Sequence, residues 1–197
     1  MKNKIIWVDL DEVLSETMDF LLNKNDNKIG NYKIVKEDIK NYYIHKIPNL
    51  DLSLEEAIEW FQIPMNNDIF NLKIKAVNGA LNKLIEFKTN WYKIVVVTAR
   101  IEEKFWKYTE KWLEKYFPDL IDEIIFTDHF TDKHRHKSEV CKELWIKYMI
   151  EDNMDYALEL AENGIKTYLL KKPWNSHRKE KHENLIKINH WDKFKLT

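Results

Sequence analysis

Asp9 and Asp11 stand two residues apart at the end of an apolar run, Lys4-Ile5-Ile6-Trp7-Val8-Asp9-Leu10-Asp11-Glu12-Val13-Leu14. On an extended chain that spacing sends both side chains to one side. Two carboxylates held together repel unless a cation, a shared proton or hydrogen-bond donors compensate. The pair therefore suits a divalent metal or an acid/base couple. A cluster of acids opening the next helix is the structural alternative, since Asp and Glu are favoured there. Two more polar groups follow apolar runs: Thr98-Ala99-Arg100 after Ile94-Val95-Val96-Val97, and Glu151-Asp152-Asn153 after Ile146 to Ile150. Lys137 precedes the second of these. Taken singly, such a Thr commonly caps a helix, such acids commonly form a solvated turn, and such a Lys is commonly a loop charge. Their order is more specific than any member.

Buried strands must carry these groups. Ile5 to Val8 and Tyr92 to Val97 are continuous apolar runs rich in Ile and Val, which reads as parallel strands covered on both faces. Shorter strands are expected over Ile121 to Thr127, Ile146 to Ile150 and Ile165 to Leu170. Helical spacing falls between them: Ser15 to Leu22, Ala76 to Lys88, Glu102 to Phe117, Lys137 to Trp145, and Tyr156 to Asn163 with Gly164 as its stop. Alternation of strand and helix implies a parallel sheet with right-handed crossovers. In such a sheet the C-terminal strand ends lie side by side, so Asp9, Asp11, Thr98, Arg100, Glu151 and Asp152 can face one pocket. Residues 23–74 differ. After a polar loop from Asn23 to Gly30 come short amphipathic pieces, Glu37 to Tyr43, Leu54 to Phe61 and Asp68 to Leu72, interrupted by Pro48 and Pro64. Ser53 and Glu56 are placed as a capping box. This stretch reads as a small helical insertion over the end of the first strand.

Composition narrows the function classes. The 197 residues carry a net charge of -1, which leaves no global basic field to draw nucleic acid. No apolar run reaches the roughly 18–20 residues that span a bilayer. A single cysteine, Cys141, rules out an internal disulfide framework and points to a reducing cytoplasm. Three glycines are too few for a Gly-rich phosphate loop, which argues against Walker and Rossmann nucleotide binding.

The motif order Asp-x-Asp-x-Val, then Thr after a Val-rich strand, then Lys, then Glu-Asp resembles the haloacid dehalogenase-like (HAD) superfamily of phosphohydrolases. The stretches Lys137-Ser138-Glu139-Val140-Cys141, Ile150-Glu151-Asp152-Asn153, Ala157-Leu158-Glu159 to Gly164-Ile165, and Lys172-Pro173-Trp174-Asn175 are similar to its 5'-nucleotidase and 5'(3')-deoxyribonucleotidase branch. The resemblance implies a three-layer, Rossmann-like α/β core from residues 1–22 and 75–197, with residues 23–74 as a small helical cap. It implies Asp9 as the nucleophile that forms an aspartyl-phosphate, and Asp11 as the general acid and then base. Thr98, the backbone at Ala99 and Lys137 would hold the phosphate. Mg2+ would be bound by Asp9, Asp152 and Asp11, the last through its backbone carbonyl, with Glu151 behind Asp152. This chemistry agrees with the residue types: a dianionic ester repels a carboxylate nucleophile unless a cation and Lys137 offset the charge.

Eukaryotic members of the branch commonly have Ser-Pro after the Thr, where this chain has Ala99-Arg100. Arg100 is expected either to touch phosphate or to cap the sheet edge through an acidic partner. Aromatic residues of the insertion (Tyr42, Tyr43, Trp60, Phe61, Phe70) suit stacking on a nucleobase, and the alternative is that they form the insertion's own core. Phe61 and Phe70 are the candidates for substrate contact. The loop Asp128 to His136 places His134 and His136 two apart without a third ligand at obvious spacing, so it reads as a solvated loop that helps draw an anion toward Lys137. The expected activity is Mg2+-dependent hydrolysis of a nucleoside monophosphate, with deoxyribonucleotides foremost. Sugar phosphates and nucleic-acid end phosphates are the alternatives. The expected partner is that small phosphorylated substrate, with neither membrane nor nucleic acid, and a homodimer is compatible.

Overall fold

The computed structural model describes residues 4–26, 28–29, 31–62, 67–129, 131–143 and 146–195. Gly30, Pro64 and the expected helix end at Leu144 and Trp145 lie outside the described residues. Six strands form one parallel sheet: β1 (Ile5–Asp9), β4 (Lys93–Thr98), β5 (Glu123–Phe126), β6 (Tyr148–Glu151), β7 (Lys166–Leu170) and β8 (Leu185–Ile188). Their spatial order is β5-β4-β1-β6-β7-β8. The chain runs outward from β1 on one side, then returns to β1 and runs outward on the other. The topological switch point therefore lies between β1 and β6, which is where open α/β sheets bind ligands.

Helices α4 (Ala80–Thr89), α5 (Glu102–Tyr116), α6 (Lys137–Glu143) and α7 (Met154–Glu162) connect these strands. One sheet face packs Ile6, Val8, Ile94 and Val96 with Leu84, Phe87, Trp112 and Phe117. The opposite face packs Trp7, Val95, Val97 and Met149 with Val140 and Leu160. Burial on both faces explains the uninterrupted apolar runs of β1 and β4. The α/β class with a central parallel sheet is thus the expected one. The sheet gains an edge strand, β8, that the apolar pattern does not announce: Leu185-Ile186-Lys187-Ile188 is four residues long and carries a lysine. The last segment is locked onto the core at Gly79, whose φ is 84° and whose hydrogen faces His190; a Cβ there would lie 2.8 Å from the His190 ring. Trp191 is fully buried and donates its Nε1–H to the Val13 carbonyl at 3.1 Å, bracing the turn after β1.

Between β1 and β4, the chain forms α1 (Thr17–Lys24), a two-stranded hairpin of β2 (Lys28–Ile29) and β3 (Tyr32–Lys33), short 3-10 turns at Lys36–Asp38 and Ile44–Lys46, α2 (Leu54–Gln62) and α3 (Asp68–Asn71). The hairpin replaces part of the expected polar loop, and 3-10 turns replace the expected piece over Glu37 to Tyr43. The capping box is formed: Ser53 Oγ accepts from Glu56 N at 3.1 Å, and Glu56 Oε2 accepts from Ser53 N at 2.9 Å. This region has its own apolar cluster, with Ile29, Ile39, Ile44, Ala57 and Trp60 packed against Met18, Leu21 and Leu22 of α1 and against Trp174. Met18, Leu21 and Leu22 of α1 thus face the inserted region, while Phe20 packs against the core of the sheet. No helix among the described residues is long and apolar enough to cross a membrane.

Candidate active site

Asp9 is the last residue of β1, and Val8 pairs in register with Ile150, so Asp9 and Glu151 end neighbouring strands. Asp152 follows directly. Oxygens of Asp9, Glu151 and Asp152 lie within 4.8 Å of one another, and all three side chains are buried. Lys137, the first residue of α6, reaches this cluster with its Nζ hydrogen-bonded to Asp9 Oδ1 and, at 2.8 Å, to Glu151 Oε1. The second Glu151 oxygen accepts from the backbone N–H groups of Asp152 (2.6 Å) and Asn153 (3.2 Å). Asp152 is oriented by the loop after β7: Trp174 Nε1 donates to its Oδ2 at 2.9 Å, and Asn175 Nδ2 donates to its carbonyl at 2.7 Å.

Charge is out of balance here. Each pair of carboxylates at this separation repels by roughly 3–4 kcal/mol at an effective dielectric constant of about 20, and one ammonium faces three carboxylates. Burial, opposed by Lys137 and reinforced by Glu151, pushes the Asp9 carboxyl up to about 8. Burial, then Glu151 and Asp9, hold the Asp152 carboxyl well above its ordinary value. Lys137 is the reverse: burial disfavours its ammonium, but Asp9 and Glu151 more than offset that and hold it charged. Three ionised carboxylates and one ammonium leave two negative charges uncompensated. A divalent cation would supply that charge, and hard oxygen ligands are the donor set that Mg2+ takes. The residues present fit such an ion.

Asp11 belongs to a different set of contacts. Its Oδ2 accepts from Arg100 Nε at 3.0 Å and its Oδ1 from Arg100 Nη2 at 2.8 Å, with Thr17 Oγ1 at 2.6 Å and Ser15 Oγ at 3.3 Å. Burial alone would raise the Asp11 carboxyl, but Arg100, Thr17 and Ser15 together hold it below its ordinary range. Asp9 and Asp11 still line one cavity, but the expectation that a neighbouring acid keeps Asp11 partly protonated is corrected, because Arg100 holds it ionised. The strand ends at Asp9, and Glu12 takes a left-handed conformation with φ 66°, so alternation no longer governs Asp11. Glu12 is buried in that unusual geometry. Its carboxylate accepts from Met18 N at 2.6 Å and Lys36 Nζ at 2.8 Å, with Lys172 Nζ at 3.4 Å. These bonds hold the strained turn. Arg100 has found an acidic partner, and its Nη1 donates to Thr109 Oγ1 at 3.1 Å.

Thr98 is fully buried, with its Oγ1 accepting from Arg100 N at 3.2 Å. Asp9, Asp11, Ala99, Arg100 and Asp152 line one cavity with Phe61. Tyr42, Tyr43, Ile44, Ile58 and Phe105 make its wall apolar and aromatic. Phe70 is elsewhere: it packs on Phe20, ring centroids 6.4 Å apart, with Lys24 Nζ 4.2 Å from its centroid. Trp60 is buried in the cluster of the inserted region. His129 lines the cavity and contacts His134, Nδ1 to Nε2 at 3.0 Å. Burial, with His134, Lys137 and His136 nearby, lowers the His129 imidazole to about 4, so it is neutral at pH 7. Pattern reasoning passed over Thr17, Thr109, Trp174 and Asn175 as site residues. Position after β7 was the available signal for the last two.

No family model matches the chain. A nucleotidase of Clostridium acetobutylicum is 30% identical over 193 residues, 98% of this chain and 92% of that protein. Among solved structures, a haloacid dehalogenase-like hydrolase from Streptococcus pneumoniae superposes with a TM-score of 0.62 at 13% identity, covering 94% of this chain and 93% of that one. A HAD-superfamily hydrolase of subfamily IA from Geobacter sulfurreducens gives a TM-score of 0.60 at 14% identity, covering 96% of each chain. The chain has the fold of these HAD hydrolases, and it belongs to the family of the Clostridium nucleotidase.

Proposed function

We propose that this chain is a HAD-type phosphatase that hydrolyses nucleoside monophosphates, deoxyribonucleotides foremost, with Mg2+ as cofactor. The observation that carries this reading is the cavity itself, which is lined both by carboxylates and by Phe61, Tyr42, Tyr43 and Phe105. Such a wall suits a flat, weakly polar leaving group. Residues 23–74, packed on α1, serve as the cap that carries Phe61 and the tyrosines over the strand ends.

In this mechanism Asp9 attacks phosphorus to give an aspartyl-phosphate, and the ester oxygen leaves. Bound at Asp9, Asp152 and the Asp11 carbonyl, Mg2+ would offset the charge between carboxylate and phosphate. Lys137 keeps Asp9 oriented and adds positive charge toward the transferring group. The Thr98 hydroxyl and the N–H groups at Leu10 and Ala99 hold phosphate oxygens. Asp11 serves the leaving alkoxide and then the attacking water. Its bonds to Arg100 imply that this step follows a rearrangement in which Arg100 exchanges part of its contact with Asp11 for the substrate phosphate.

The deciding experiment measures phosphate release with Mg2+ from deoxy- and ribonucleoside monophosphates, sugar phosphates and 5'-phosphorylated oligonucleotides. A preference for mononucleotides is the expected result. A flat profile, or one led by sugar phosphates, overturns the nucleotide assignment while leaving the phosphatase chemistry in place.

A further inference from the structure

A second cavity, of about 310 Å³, lies at the C-terminal ends of β7 and β8. Lysines 171, 187 and 193 line it together with Asn175, Ser176 and Asn189, and none of its lining residues is acidic. The strand register explains why the charges gather. Lys187 pairs with Leu169, and Lys171 follows Leu169 by two residues while its N–H continues the ladder to Ile188 O at 2.7 Å. The two lysines thus share a sheet face. Lys193 is added by the C-terminal 3-10 turn, Trp191–Lys193, which Gly79 and Trp191 hold against the core.

The chain as a whole carries a net charge of -1, yet residues 171–197 hold eight Lys and Arg against three Asp and Glu. Two carboxylates approach its lysines: Glu180, which interacts with Lys187 and is itself paired with Arg178 Nε at 2.5 Å, and Asp192. Asp192 lies 3.8 Å from Lys193 Nζ with both side chains about 60% exposed, where solvent leaves such a pair weak. Lys187 Nζ donates to the Arg178 carbonyl at 2.7 Å, which uses one of its three N–H groups. Lysines act as compact point charges, suited to a multivalent, tetrahedral oxyanion more than to a planar carboxylate, which arginine matches better. A neighbouring serine hydroxyl and two amides add hydrogen-bonding groups.

We propose that this cavity is an anion site, separate from the carboxylate cluster, that takes a small phosphate-bearing ligand through Lys171, Lys187 and Lys193. Inorganic phosphate and the phosphate of a mononucleotide present the same chemistry to it. The cavity shares a wall with the active site. Asn175 lines the anion site and donates to Asp152 O and Leu170 O, while its neighbour Trp174 lines the active-site cavity.

The test is a titration of the full chain with inorganic phosphate, in EDTA, followed by backbone amide NMR. Resonances of residues 187–193 should shift saturably, with a dissociation constant of about 1–10 mM. The double variant Lys171→Ser/Lys193→Ser, both exposed positions, should weaken binding about tenfold or more and leave hydrolysis with Mg2+ unchanged. Titration with adenosine monophosphate then separates the sources: equal or tighter binding with the same lysine dependence assigns a nucleotide, and no shift at 187–193 assigns inorganic phosphate. Shifts confined to residues 10–14 and 98–100, no saturation, or unchanged affinity in the double variant would overturn the site.

Discussion

Arg100 and Asp11 meet through two parallel hydrogen bonds, Nε to Oδ2 at 3.0 Å and Nη2 to Oδ1 at 2.8 Å, with the Arg100 side chain 2% exposed. A buried charge pair of this kind is costly to break from one side, because the survivor stays buried and ionised. Arg100→Met should lower unfolding free energy by about 3–5 kcal/mol. Adding Asp11→Asn should recover most of that loss. Urea unfolding of the two variants reads both quantities, and independent, additive effects would show that the pair is not coupled.

The same pair sets a dependence on pH. The Asp11 carboxyl is held below its ordinary 3.8, so its contribution to stability is fully present above that value and is lost as pH falls through the lowered one. The stability gap between the wild type and Asp11→Asn should hold from pH 7 to about pH 5, then shrink toward pH 3. A gap that widens on acidification would contradict the assignment.

Asp9→Asn should reduce kcat on the order of 10⁴-fold or more, as removal of a nucleophile does. In metal-free protein the same change should be mildly stabilising. Above pH 8, where the Asp9 carboxyl is ionised, it removes one of three mutually repelling carboxylates and should raise Tm by about 2–4 °C for each kcal/mol relieved. Calorimetry in EDTA measures this. A large fall in Tm would instead mean that the attraction between Asp9 and Lys137 outweighs the repulsion among the carboxylates.

EDTA should silence hydrolysis and Mg2+ restore it, with Tm rising as Mg2+ concentration rises. Calcium, which takes more ligands in looser geometry, should raise Tm and support turnover poorly. Activity that survives exhaustive chelation would remove the cation from the reaction.

Phe61 and Phe70 separate substrate contact from packing. Phe61→Ala should raise KM for a nucleoside monophosphate about tenfold, the loss of one stacking contact of about 1–3 kcal/mol, with little change for glycerol phosphate. Phe70→Ala should leave both KM values in place, since its ring lies against Phe20 and Lys24. Equal shifts on both substrates for Phe61→Ala would assign that ring to packing.

Much of the sheet was legible because β1 and β4 are buried on both faces and leave long Ile and Val runs. The strand-end positions of Asp9, Thr98, Glu151 and Asp152 followed from those runs. β8 was not legible: it is four residues long at a sheet edge, and Lys187 interrupts its apolar pattern. The partners of Asp11 were hidden for another reason. They depend on the chain leaving the extended conformation after Asp9, and on Arg100 arriving from 89 positions away, which no local spacing encodes. Likewise His129 stands five residues from His134, and only the loop's fold brings their rings together.

The central position of β1 has a consequence for biosynthesis. Ile5 pairs with Lys93 and Ile6 with Tyr148, so the first strand made must wait for most of the chain before both its edges are satisfied. A nascent chain that ends before β6 exposes an apolar strand with one open edge, the kind of species that aggregates or recruits chaperones. Truncations ahead of Tyr148 should be insoluble, and refolding should be slow for a chain of this length because its central pairings close large loops.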